Sequence, residues 1–295
     1  VTVLMSFYNI IGGWSIYYFI QTISGKLTGL DAAQVEAVFG NFVSNSPQVA
    51  LFTIIFLAVN TIVIIKGITE GIEKVSSIVM PSLFVLLIIL VIRSVTLPGA
   101  KEGIIWYLKP DFSKVTGSTF VAAVGQAFFT LSLGSGAMAT YASYLSKDES
   151  LPSATASTVI IDTLVALLAG LAILPAVFAF GVSPGEGPGL VFVTLPSVFG
   201  QMPFGTIFSA IFFVFFFFAA LTSSISMLEV SVTYIIENTN IDRKKAAIIM
   251  SIVVLLLGIP PLMSFGNWSH IEIFGLGLFD LYDYFVSNIS MPLVG

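Results

Sequence analysis

Residues 128–141 read FFTLSLGSGAMATY and lie within an apolar run, 120–145, long enough to cross a bilayer. Gly134 and Gly136 each cost a helix about 1 kcal/mol relative to alanine. Hydrocarbon also offers no partner for the backbone groups that an opened turn releases. A break kept at such a cost predicts something to coordinate. Close packing of small residues against a neighbouring helix is the competing explanation. The clustering of Thr130, Ser132 and Ser135 within the same two turns favours a site, because discontinuous helices expose carbonyls and half-helix ends at the membrane midplane. The same residues fit G-x-G-x-x-A through Gly134, Gly136 and Ala139. A dinucleotide fingerprint needs a preceding strand and a βαβ unit, and here the motif interrupts an apolar helix.

The rest of the 295-residue chain has the same character: 57% apolar, 9% charged, with a mean hydropathy of +1.03. Eight apolar runs are long enough to span, with cores at 1–23, 49–66, 78–96, 120–145, 158–181, 206–236, 246–263 and 271–295. Runs of this length exceed barrel strands, so the expected fold is all-α, a polytopic transmembrane helical bundle forming one transmembrane domain over residues 1–295. With no cysteine, disulfides, thiol catalysis and Cys-based metal sites are excluded. The net charge of −5 gives no basic footprint for nucleic acid. Residue 1 falls inside an apolar run without an initiator Met, and the chain is expected to be an internal piece.

Short connectors at 66–74, 146–152 and 237–245 alternate with longer ones at 25–47, 98–117 and 182–203, which predicts opposite faces for the two sets. Lys66, Lys74, Lys147, Arg243, Lys244 and Lys245 fall on the short-loop side. Lys26, Arg93, Lys101, Lys109 and Lys114 fall on the other. Charge in short loops dominates orientation, so the short loops are expected in the cytoplasm. Residues 31–42 and 190–202 are predicted to form helices within their connectors.

Asp162 lies inside the fifth run, where a carboxylate costs roughly 2.5–3.5 kcal/mol on insertion scales. Arg93, near the end of its own span, is the one basic residue well inside a run, so cation or proton handling is favoured over ion pairing. Thr222, Ser223 and Ser224 follow the small pair Ala219-Ala220. A single hydroxyl often bonds back to its own helix, but three in succession predict a cavity wall of hard oxygen ligands. Tyr8 alone reads as bundle packing, and Asp283 with Asp280 as a helix-terminal charge pair. His270 receives no role, and no nucleophile–base pair marks an enzyme.

The segments FFTLSLGSGAMATYASYL and FFAALTSSIS resemble the unwound sixth helix and the eighth helix of the neurotransmitter:sodium symporter family, in particular its bacterial leucine-transporter-like amino-acid members. FYNIIGGW (7–14), KGITEGIEK (66–74) and LFDLYDYF (278–285) resemble its third helix, the turn after its fourth, and the start of its tenth. The resemblance covers essentially the whole chain. It implies an inverted-repeat fold in which the eight runs are family helices three to ten, with helices one and two absent. It also implies roles. Tyr8 would bond the substrate carboxylate, Leu4 and Met227 would line the pocket, and Phe129 would cover it. Ser132 would lie at the backbone receiving the amino group. Thr130 and Asp162 would hold one sodium ion. The Ala219 carbonyl with the Thr222 and Ser223 hydroxyls would hold a second. Gln126 and Asp283 would belong to the outer gate.

Two departures from the family pattern carry information. Asp162 replaces the Asn of many relatives, and Ala166 stands where chloride-dependent members place Ser; a fixed carboxylate beside sodium implies chloride independence. Ser135 replaces a Phe of leucine-transporter-like members, implying a roomier pocket. The expectation is a sodium-coupled symporter of a bulky apolar or aromatic amino acid in the plasma membrane, the bacterial inner membrane, with sodium ions and no organic cofactor. Its partners would be the amino-acid substrate, the lipid bilayer and the absent helices. The alternatives are a proton-coupled or sodium-independent carrier of the same fold, or a non-transporting fragment.

Overall fold

The structure, a computed structural model, describes residues 1–144, 150–181 and 187–294. Among them, five helices are long and apolar enough to cross a membrane: Thr2–Ile23, Ser46–Ile65, Glu70–Val95, Leu151–Ala179 and Gly205–Asn238. In chain order the helices are α1 (Thr2–Ile23), α2 (Ala32–Ser44), α3 (Ser46–Ile65), α4 (Lys74–Val95), α5 (Ala100–Leu108), α6 (Gly117–Thr130), α7 (Ala137–Ala142) and α8 (Leu151–Ala179). They continue with α9 (Gly187–Gly189), α10 (Leu195–Gln201), α11 (Gly205–Asn238), α12 (Arg243–Leu257), α13 (Ile259–Met263), α14 (Leu278–Tyr284) and α15 (Met291–Val294).

The centre of the molecule is α1 packed between α3 and α11. Adjacent glycines on α1 allow the approach to α3. A Cβ on Gly13 would stand 2.7 Å from the Thr53 nitrogen and 2.8 Å from the Phe52 carbonyl carbon, and one on Gly12 would overlap the Phe56 ring. On the α11 side, Ser224 Oγ donates to Asn9 Oδ1 at 3.0 Å, both side chains buried. Trp14 and Tyr18, fully buried, meet Phe192 at ring-centroid distances of 5.4 and 5.1 Å. Gly13→Val is therefore expected to destabilise the protein by about 1–3 kcal/mol, the usual cost of forcing atoms into a packed seam. An unchanged thermal unfolding midpoint in detergent would refute the close approach.

The long connectors gather at one end: the Gly29 N–H donates to the Gly200 carbonyl at 3.1 Å, and Gly99 lies against the backbone of Ala179. At the opposite end Arg243 Nε donates to the Ile64 carbonyl at 2.8 Å. The helices expected within 31–42 and 190–202 are present as α2, where Asp31 and Gln34 form a capping box, and as a π turn Leu190–Thr194 running into α10.

Several boundaries differ from the sequence expectation. The run 120–145 is divided into α6 and α7, as the glycines predicted; its residue 145, with most of the connector 146–152, lies outside the described residues. The run 246–263 is interrupted at Gly258 before Pro260 and Pro261, where proline removes ladder donors. The run 271–295 opens with an antiparallel hairpin, β1 (Glu272–Ile273) and β2 (Leu276–Gly277). Phe274 and Gly275 both take positive φ at its turn, so a helix cannot begin before Leu278. Connector 98–117 carries α5, which composition did not announce, and 66–74 is helical through a π turn, Ile68–Glu73, that feeds α4.

Candidate functional site

The break in 128–141 arises from three left-handed residues in close succession: Ser132 at φ 54°, Gly134 at 75° and Gly136 at 82°. The glycines take this conformation without a Cβ penalty, whereas Ser132 holds a strained one of the kind that clusters at functional sites. Ser135 secures the uncoiled turn, donating through Oγ to the Ser132 carbonyl at 2.7 Å and accepting from the Ala137 N–H at 3.3 Å. From there α7 restarts.

Thr130, the last residue of α6, donates to both oxygens of Asp162 on α8, at 2.9 and 3.1 Å. Arg93 does not pair with Asp162; its guanidinium lies 5.5 Å from the Phe208 ring centroid. On α11 the Thr222 hydroxyl donates to the carbonyls of Ala219 at 3.0 Å and Phe218 at 3.1 Å. Leu4 and Tyr8 come from α1, one turn apart on the same face.

A cavity of about 450 Å³ is lined by Leu4, Tyr8, Gln126, Phe129, Thr130, Ser132, Ser135, Asp162, Thr222, Ser223 and Met227. Of the residues the sequence singled out, Ala219 touches this group through its carbonyl alone. Asp283 lines an adjoining cavity of about 1100 Å³ that shares Gln126 and Phe129, and accepts there from Ser287 Oγ at 2.9 Å. The sequence reading did not find Met80, Ala137, Ser226 and Met291, which also line the first cavity. Ser226 was accessible to it, four residues after Thr222 and hence on the same helical face; its Oγ donates to the Thr222 carbonyl at 3.1 Å.

The polar atoms facing this space are hydroxyl, carboxylate and carbonyl oxygens, a set suited to hard cations. Among the described residues no three His, Cys, Asp or Glu side chains group to hold a metal ion, so the donors fit a monovalent cation better than a transition metal. An apolar wall of Leu4, Phe129 and Met227 stands beside them.

A second polar cluster lies nearer the opposite end. Glu229, fully buried on α11, forms an ion pair with Arg243 at the start of α12. Its Oε1 also accepts from Tyr144 Oη at 2.7 Å and Thr233 Oγ1 at 3.2 Å. The cluster therefore ties the segment after the break to α11 and α12. Its sequence signal was Glu229 itself, an ionisable residue within an apolar run, which is a functional candidate by default.

A family model described as the sodium:neurotransmitter symporter family matches residues 34–294. An uncharacterized sodium-dependent transporter of Bacillus subtilis, YhdH, is 46% identical over 289 residues, covering 98% of this chain and 64% of the relative. One from Haemophilus influenzae is 44% identical over 296 residues, covering 98% and 65%. The crystal structure of MhsT in complex with L-phenylalanine superposes with a TM-score of 0.91 at 42% identity, over 99% of this chain and 67% of that one. The chain thus spans a little under two thirds of the length of these curated relatives. With a broken helix, a hydroxyl-rich partner helix and a matching family model over most of its length, this multi-pass membrane chain belongs to the sodium:neurotransmitter symporter family.

Proposed function

We propose that the protein is a sodium-coupled symporter of a bulky neutral amino acid, apolar or aromatic, that works by alternating access and does not need chloride. The observation that carries this reading is the convergence of Thr130, Asp162, Thr222 and Ser223 on one cavity with the apolar wall of Leu4, Phe129 and Met227. In this reading Asp162 and Thr130 take one sodium ion. The Ala219 carbonyl and the hydroxyls of Thr222 and Ser223 take the second. Tyr8 donates to the substrate carboxylate, and the uncoiled backbone at Ser132 receives the amino group. Ser135 leaves room for a large side chain, and Gln126 with Asp283 gates the outer approach. The phenylalanine bound in the MhsT structure supports a bulky substrate, and the Asp162 charge supports the absence of a chloride requirement.

The outward faces of α6 and of the first half of α8 carry exposed apolar side chains, Phe120 at 67% and Ile160 at 66% among them. In this reading family helices one and two complete the single transporter domain against those faces. The bacterial relatives support placement in a bacterial inner membrane. Each sodium ion entering a negative interior gains about 2.3 kcal/mol per 100 mV, which drives uptake.

The test is uptake of radiolabelled phenylalanine by the whole protein in vesicles. Uptake is expected to require inward sodium and to persist when gluconate replaces chloride. Uptake that ignores sodium and follows a proton gradient would overturn the coupling assignment, and a chloride requirement would overturn the role given to the Asp162 charge.

A further inference from the structure

Asp162 is held at its carboxylate by Thr130, while the helix that carries it is buried farther along. The buried residues of α8, Ala172, Pro175, Ala176 and Val177, all lie C-terminal to it. The helix packs against α4 and α5, with a smaller contact to α10. The α5 contact is the more specific, because each helix offers a glycine to the other. A Cβ on Gly103 would stand 2.7 Å from Pro175 Cα and 2.9 Å from the Leu174 carbonyl, and one on Gly170 would overlap the Tyr107 ring. Trp106 and Phe178 extend the contact at a centroid distance of 5.5 Å. From its seat in the Gly170 notch, Tyr107 Oη donates to the Ala166 carbonyl at 3.4 Å, at the long end for such a bond. Residues 162, 166 and 170 follow at intervals of four, so the phenol occupies the helical face that bears Asp162.

Pro175 has no N–H for the Leu171 carbonyl, and a proline inside a helix is the usual cause of a bend. Tyr107 therefore sits on the stretch where α8 can flex. Asp162 lies eight residues farther on, about 12 Å along the axis, so a change of about 5° in the bend carries it about 1 Å. Metal–ligand distances tolerate only about 0.2 Å.

We propose that Tyr107, held in the Gly170 notch, is a positioning residue for Asp162, making the connector helix α5 a determinant of sodium affinity. This rests on the reading of Asp162 as a sodium ligand. The test compares Tyr107→Phe, Gly170→Ala, their double variant and Asp162→Ala in the whole protein, reading the sodium concentration for half-maximal amino-acid binding and the amino-acid affinity at saturating sodium. Tyr107→Phe is expected to raise the sodium requirement about 3-fold, the worth of one hydrogen bond. Gly170→Ala is expected to raise it about 10-fold, below the roughly 100-fold that a full 1 Å misplacement can cost. The double variant should match Gly170→Ala alone, since the displaced ring no longer presents a hydroxyl, and amino-acid affinity at saturating sodium should stay unchanged in all three. A sodium requirement unmoved by Tyr107→Phe and Gly170→Ala, with Asp162→Ala still raising it on the order of 100-fold, overturns the proposal and leaves the site reading intact. A sodium requirement unmoved by Asp162→Ala sinks both.

Discussion

Sodium-dependent amino-acid binding is expected to fall on the order of 100-fold in Asp162→Ala, because a unit charge a few ångströms from a monovalent cation contributes several kcal/mol even at an effective dielectric of about 20. Asp162 is the carboxylate that lines the cavity, and among the described residues no Lys or Arg pairs with it: Arg93 lies over Phe208, and the ion pairs join Lys114 to Asp111, Arg243 to Glu229 and Lys245 to Asp242. In the alanine variant Thr130 would lose both of its acceptors. Asp162→Asn separates charge from geometry, since an amide oxygen can still accept from Thr130 and still ligate a cation. It should retain part of the affinity and acquire sensitivity to chloride. Binding assays across a sodium titration, with chloride present and absent, check both statements. Wild-type sodium dependence in Asp162→Ala would remove this carboxylate from the mechanism.

The largest expected loss of stability belongs to Glu229→Ala. The carboxylate is fully buried and has three partners: Arg243, Tyr144 and Thr233. Breaking a buried pair by removing one member costs roughly 3–5 kcal/mol, because the other charge is left uncompensated. Arg243 is partly exposed, with 25% of its side chain open, so the lower end of that range is expected. Glu229→Gln keeps an acceptor for Tyr144 and Thr233 and should cost about 1–3 kcal/mol. A Glu229→Met, Arg243→Met double variant should be milder than Glu229→Ala, since apolar replacement of a whole buried pair is often neutral or stabilising. Thermal unfolding in detergent ranks the variants. A double variant as damaged as the sum of its singles would show that the two groups do not act as a pair.

The broken helix, the acid on α8 and the hydroxyls on α11 were legible in the sequence for one reason: each departs from what hydrocarbon tolerates. Glycines and serines inside an apolar run, or a carboxylate in another, stand out against a uniform background. The missing parts lack that contrast. Helix α5 is short, and it is held against α8 by two reciprocal matches, Gly103 against Pro175 and Gly170 against Tyr107. No local pattern encodes such a match. Residues 271–277 are apolar enough to read as a span, yet the turn at Phe274 and Gly275 folds them back as a hairpin. Arg243 looked like one charge in a basic loop, because its partner Glu229 is supplied by the chain crossing back beside it.

Helix α11 is 34 residues long, so half of it lies on either side of the Leu221–Thr222 junction. At 1.5 Å per residue its length is about 51 Å, against a hydrocarbon slab of about 30 Å. Centred in that slab, the rod carries Thr222 at mid-depth. Glu229 then lies only about 10 Å below the middle, still short of the water boundary. An acid at that depth cannot be wetted by reaching outward, so its counter-charge must be delivered to it from the headgroup level by the long arginine stem.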